Sequence, residues 1–241
     1  AGSGDDQRME FGEAWGLYGG GEACGGMCGG LSSGVLVGFG RWPTGMVTVG
    51  GRAVLAGVVF WKVLPESRNV RPRAMNPRGL LGGYVVHFEG AGLPWLFLEA
   101  FLLMGAFVPL FNCIGYRLLA EPYHMNQALV GLLSVVYLSG IYSSAQVGAL
   151  ADKLGRRKVF WASIVVMAGG MLMTLTSPLF MVILGMLVFT FGFFGAHSVA
   201  SSWIGRRVLR AKGQASSLYL FCYYAGSSVA GTAGGVFWHQ W

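Results

Sequence analysis

The sequence predicts an all-α, polytopic transmembrane helix bundle, and three observations carry that prediction. Only 11% of the 241 residues are charged, against about 25% in an ordinary soluble domain. Mean hydropathy is +0.56, so too little polar surface exists to cover a water-exposed globule. Apolar runs of roughly 20 residues, the length that crosses the hydrocarbon of a bilayer, recur along most of the chain.

Residues 1–14 read as a polar tail containing Asp5, Asp6 and Glu10, with no basic stretch ahead of an apolar core and hence no signal peptide. Residues 15–61 hold two spans, Trp15–Phe39, rich in glycine, and Thr44–Trp61, interrupted by Arg52. Residues 62–92 read as a Pro- and Arg-rich connecting loop. Within it Leu80, Leu81, Tyr84, Val85, Val86 and Phe88 form an apolar patch that suits a surface helix or a plain loop equally. Residues 93–241 hold five further spans, Leu93–Leu119, Gln127–Ala151, Val159–Thr176, Leu179–Ile204 and Gly213–Trp238, with Pro178 marking a tight turn. The prediction is thus about seven helices.

Basic residues orient the spans. Lys62, Arg68, Arg71, Arg73 and Arg78 lie in one linker, Lys153, Arg156, Arg157 and Lys158 in the next even one, and Arg206, Arg207, Arg210 and Lys212 in the one after. The opposite linkers hold only Arg41 and Arg117. Such an asymmetry places the basic loops in the cytoplasm. It also accounts for the net charge of +7 without nucleic acid, because the cations are not gathered on one amphipathic face.

The chain contains 40 glycines. Gly25 and Gly29, and Gly26, Gly30, Gly34 and Gly38, repeat at intervals of four in the first span, as do Gly231 and Gly235 in the last. Small residues at that spacing mark faces where helix backbones approach closely in lipid. The same face serves a static contact or a surface on which helices slide. Cys24, Cys28, Cys113 and Cys222 all fall in apolar runs and read as packing residues. Cys24 and Cys28 share a helix face, but no histidine or further cysteine stands near enough in the sequence to complete a metal shell.

Several polar residues inside the spans are candidates for function. An acid in the membrane is costly and is usually functional or paired. Glu99, in the third span, is therefore a proton-coupling candidate; the alternative is that it snorkels to the interface or pairs with a loop arginine. His197 is a second proton-coupling candidate, or a hydrogen-bonded packing histidine. Asn112, Tyr116, Tyr137 and Gln146 are candidates to line a substrate cavity, or to bond helix to helix. Glu22 and Arg52 either pair with each other or mark imperfect spans, and the second reading is preferred. No Gly-x-Ser-x-Gly elbow, HExxH or phosphate loop is present, and His87, His124, His197 and His239 are scattered. No enzyme, cofactor or metal site is expected.

The loop Gly148-Ala149-Leu150-Ala151-Asp152-Lys153-Leu154-Gly155-Arg156-Arg157-Lys158 resembles the signature of the major facilitator superfamily, with a long apolar run on each side. The segments Phe60–Arg68, Ala196–Gly205 and Ala211–Leu220 are similar to YnfM-type bacterial inner-membrane permeases within it. The resemblance implies twelve helices in two halves, with this chain running from about the fifth to the eleventh, a fragment. Residues 15–61 would close the first half, 62–92 would form the central cytoplasmic loop, and 93–241 would be the second half without its last helix. It implies a multi-pass protein of the bacterial inner membrane that moves a small sugar- or drug-like solute, by proton-coupled efflux. It also implies that Gly148, Asp152, Gly155, Arg156, Arg157 and Lys158 form a gate, the acid capping a helix start and pairing with cations of the loop and of a neighbouring helix; the alternative is that Asp152 and Arg156 only anchor a tight cytoplasmic turn. Competing readings are a non-transporting helical subunit or scaffold and, further off, an intramembrane enzyme.

Overall fold

Glycine and serine decide where these helices meet. The computed structural model describes residues 21–38, 42–64, 77–89, 92–208 and 212–240, and among them only helices and turns occur. The helices are α1 (21–38), α2 (Trp42–Val63), α3 (Pro77–Glu89), α4 (Leu93–Leu119), α5 (Gln127–Leu132), α6 (Tyr137–Leu154), α7 (Arg156–Thr174), α8 (Leu179–Arg207) and α9 (Lys212–Gln240). Residues 15–20, the start of the first expected span, lie outside the described residues, as do residues 65–76 of the connecting loop. The chain is a partial helical bundle of the predicted class.

One difference from the expected elements, and one element left open between helix and loop, have local causes. The run from Gln127 is not one helix: α5 passes through a 3-10 turn, Leu133–Val136, into α6. Val135 and Val136 are β-branched and crowd the preceding helical turn, which weakens α-helix there. Asn126 starts α5 by accepting the amide of Leu129 at 2.8 Å. The apolar patch of the connecting loop is a helix, α3. Pro77 fits its first turn, where an amide hydrogen would go unused. It docks on the starts of α4 and α9 through the Phe88–Phe97 ring pair at 5.9 Å and the Tyr84–Ser217 hydroxyl contact at 3.2 Å.

α8 is the axis of the bundle, with Val182, Met186, Phe189, Phe193, Ala196 and Val199 fully or nearly fully buried. α7 lies along it where Gly170, Gly185 and Gly192 leave no room for a side chain: a Cβ at Gly185 would meet Gly170 O at 2.8 Å, and one at Gly192 would meet Ser163 O at 2.7 Å. α6 takes the neighbouring face, tied by hydroxyls to α8 carbonyls, Ser139 to Leu187 at 3.0 Å and Ser143 to Phe191 at 2.5 Å, while Ser198 donates back to Ser144 at 3.1 Å. Lipid supplies no hydrophobic drive between helices, so such close packing and hydrogen bonds hold them. α4 pairs with α9 in the same way: a Cβ at Gly226 would collide with the backbone of Phe101, and Gly105 faces Ala230.

Of the two glycine rows on α1, one packs and one does not. Gly26, Gly30, Gly34 and Gly38 face Tyr137, Ser134, Gly131 and Ala128 in antiparallel order, whereas Gly25 and Gly29 meet nothing within 4 Å. In α9, Gly231 lies against Val108 but Gly235 meets open space.

Among the described residues, four helices are long and apolar enough to cross a membrane by length and composition alone: α2, α4, the α5–α6 run and α8. α7 and α9 have 19 and 29 residues; Arg156, Arg157 and Lys158 dilute the first, and glycine, serine and tyrosine the second.

At one end of the bundle Arg117 finishes α7. Its guanidinium donates to Thr174 O at 2.5 Å and Thr176 O at 2.8 Å, carbonyls that the helix end leaves open, and Tyr123 donates to Ser177 O beside it.

Candidate functional site

Two polar constellations stand out in this apolar bundle. The first is at the basic end. α6 stops at Gly155, whose φ of +92° is open to glycine and strained for other residues, and α7 starts at the next position. Asp152 therefore lies in the last turn of α6. The resemblance implied an acid capping a helix start; instead, the residue before α7 is Gly155, with no side-chain cap. An acid in a last turn opposes the helix dipole, and two guanidiniums offset it. Asp152 Oδ1 meets Arg156 Nη2 at 2.5 Å, and its Oδ2 meets Arg206 Nη2 of α8 at 3.3 Å. Arg156 also donates to Ser202 Oγ at 3.2 Å.

One carboxylate thus joins α6, α7 and α8. Asp152 is 47% exposed, so each pair contributes only about 0–1 kcal/mol. Gly148 approaches α8 closely enough that a Cβ would touch Ser198 Oγ at 3.4 Å. Arg157 and Lys158 are exposed on the rim of an open depression of about 520 Å³ beside the clasp.

The second constellation is largely buried, with Glu22 partly exposed, and joins four helices. His197 of α8 is 5% exposed. Its Nδ1 lies 2.9 Å from the Tyr219 hydroxyl of α9, and its Nε2 lies 3.7 Å from Glu22 Oε2 of α1. Tyr223, one turn beyond Tyr219, donates to Glu22 Oε1 at 3.5 Å. Phe193 lies parallel to the imidazole, the planes 3° apart, and fixes its orientation. Glu99 of α4 lies within electrostatic reach of Tyr219. Both its carboxylate oxygens are buried without a hydrogen-bond partner among the described residues. A bare carboxylate in such a place costs several kcal/mol.

Glu99 does not snorkel to the surface, since both its carboxylate oxygens are buried; Arg68, Arg71 and Arg73 of the connecting loop, its other expected partners, lie outside the described residues. Glu22 and Arg52 do not pair with each other: Glu22 reaches His197 and Tyr223, while Arg52 stands exposed on α2. Of the candidate cavity residues, Tyr137 alone joins this region, packed among Phe107, Phe111 and Phe194 at 5.5–5.8 Å and close to Glu22. Asn112 and Gln146 are exposed, and Tyr116 stacks on Trp238 at 5.9 Å. Among the described residues no His, Cys, Asp and Glu cluster could hold a metal ion.

Sequence reasoning missed Tyr219, Tyr223, Arg206 and Ser202 as members of these sites. The spacing of four between Tyr219 and Tyr223 puts both on one face of α9, the only signal available, and nothing in it points to His197 or Glu22.

The Major Facilitator Superfamily profile matches residues 7–231. The chain is 54% identical over 226 residues to the inner membrane transport protein YnfM of Escherichia coli, covering 94% of this chain and 54% of that protein. It is 46% identical over 228 residues to the uncharacterized MFS-type transporter YybF of Bacillus subtilis, covering 95% and 56%, and 39% identical over 223 residues to an uncharacterized transporter of Buchnera aphidicola, covering 92% and 54%. The chain thus spans about half the length of the curated relatives it matches. No solved structure matches it.

Proposed function

This chain belongs to the major facilitator superfamily, as a multi-pass inner-membrane segment, and we propose that the whole protein moves a small organic solute outward in exchange for protons. The solute is sugar- or drug-like. Transport runs by alternating access: α1 and α2 end one half, α4 to α9 belong to the other, and the solute binds between the halves near the midplane. Asn112, Tyr116, Tyr137 and Gln146 are the residues offered for that cavity.

The observation that carries this reading is the clasp. A carboxylate shared by Arg156 and Arg206 ties three helices at their basic, cytoplasmic ends. Contacts made in one conformation only shift the balance between inward- and outward-open states. Pairs this exposed are weak enough to be broken in every cycle. Glu99 supplies the second requirement, a buried acid without a partner where a proton can ride.

The test reconstitutes the full-length protein in proteoliposomes, with a labelled pentose and ethidium as probes. Acid-loaded vesicles accumulate a probe as their protons leave. No flux of either, in vesicles whose protein is folded and inserted, refutes the reading and favours a non-transporting subunit.

A further inference from the structure

Glu22, Glu99, His197 and Tyr219 stand on four helices around one largely buried locus, at whose edge Glu22 is partly exposed. Tyr219 and His197 are joined by a hydrogen bond of ordinary length, 2.9 Å. With Nδ1 accepting from the phenol, Nε2 carries the ring proton and faces Glu22 Oε2 at 3.7 Å, about half an ångström beyond hydrogen-bond contact. Tyr223 holds the other oxygen of Glu22. Glu99 is close enough for its charge to act on Tyr219, though neither of its oxygens bonds to the phenol in this state.

We propose that Tyr219 and His197 form a proton relay between Glu99 and Glu22. The proposal rests on the reading that Glu99 carries the coupled proton. The step is one concerted shift. Protonated Glu99 gives its proton to the Tyr219 oxygen as Tyr219 gives its own to His197 Nδ1, and Nε2 gives its proton to the Glu22 carboxylate. One proton leaves Glu99 and one arrives on Glu22. The phenol is restored, and the imidazole is left as the Nδ1–H tautomer. Glu99 makes no hydrogen bond in this state, so the first transfer waits on a rotation of its side chain or an entering water.

Among the described residues, these groups face the relay. Glu22 from α1 and Tyr219 and Tyr223 from α9 face His197 directly. Glu99 from α4 bears on Tyr219, and Tyr137 from α6 bears on Glu22. No Lys or Arg of the described residues pairs with any of them.

Glu22 sits one turn before Gly26, the first of the four glycines by which α1 docks on residues 128–137. Moving α1 off that face widens the 3.7 Å gap. The relay conducts when α1 is docked and breaks when it is not, which ties proton passage to conformation.

The experiment uses the full-length protein in phosphatidylethanolamine–phosphatidylglycerol liposomes. A caged-proton pulse is followed by time-resolved infrared spectroscopy of the protonated-carboxyl bands. E99Q removes one band and E22Q a second. Y219F and H197Q reach the same final amplitudes about 100-fold more slowly, the usual loss when a positioned proton carrier is removed. A merely structural role would shift amplitudes or the unfolding temperature and leave the rate alone. Wild-type rates in both variants overturn the relay, as does an E99Q spectrum with every band intact. If H197Q fails to fold, Y219F alone decides. Proton-driven flux that survives E99Q sinks the coupling reading; flux lost in E99Q with Y219F at the wild-type rate sinks only the relay.

Discussion

Gly34 offers the sharpest test of how α1 is held. A methyl added there would sit 2.5 Å from the Cα of Gly131 and 3.2 Å from Gln127 O. Both neighbours are backbone and cannot rotate aside. Carbon atoms rest at about 3.5–4.0 Å, so α1 would have to back off by about 1 Å. A gap of that size forfeits a quarter to a half of each dispersion contact along the row. Overpacking of this kind costs about 1–3 kcal/mol, against a gain of up to about 1 kcal/mol from replacing a helical glycine by alanine.

Gly29→Ala, on the same helix with nothing within 4 Å, collects that gain without the cost. The two variants should therefore differ by about 2 kcal/mol in opposite directions. The assay is thermal unfolding of the full-length protein in detergent, with the solute flux of both variants measured in parallel. Gly34→Ala lowers the midpoint and flux, while Gly29→Ala holds or raises the midpoint. Equal shifts for both would refute the packing argument, because they would mean that the row facing Ala128, Gly131, Ser134 and Tyr137 is not the contact.

Two further outcomes follow from the polar contacts. Asp152→Asn removes both ion pairs to Arg156 and Arg206; solute flux falls at least about tenfold while unfolding shifts by no more than about 1 kcal/mol, because the pairs are exposed. Arg117→Ala leaves the Thr174 and Thr176 carbonyls without their donor and lowers stability by about 1–3 kcal/mol, read as a lower unfolding midpoint.

Much of the bundle was legible because span length and charge alternation are long-range patterns. The expected runs Leu93–Leu119 and Leu179–Ile204 coincide with α4 and with most of α8. The break at Leu133–Val136 was not legible, since an apolar run of normal length gives no sign of a 3-10 turn. The loop Gly148–Lys158 announced a charged turn, but not that Arg206, 54 residues from Asp152, completes it. The buried cluster was the least visible part. Its members come from α1, α4, α8 and α9, and only packing brings them together. Glu22 looked like a fault in a glycine-rich helix because its partner lies 175 positions away. Glu99 looked shallow by its place in the run, yet the α3 and α9 contacts cover that end of α4.

Acid-driven accumulation of a transported probe by Glu99→Gln proteoliposomes is the most direct test of a proton riding on a partnerless buried acid. The expected result is that probe still exchanges down its own gradient while accumulation against it disappears. Accumulation at the wild-type level, in the same vesicles and under the same acid load, would contradict the account.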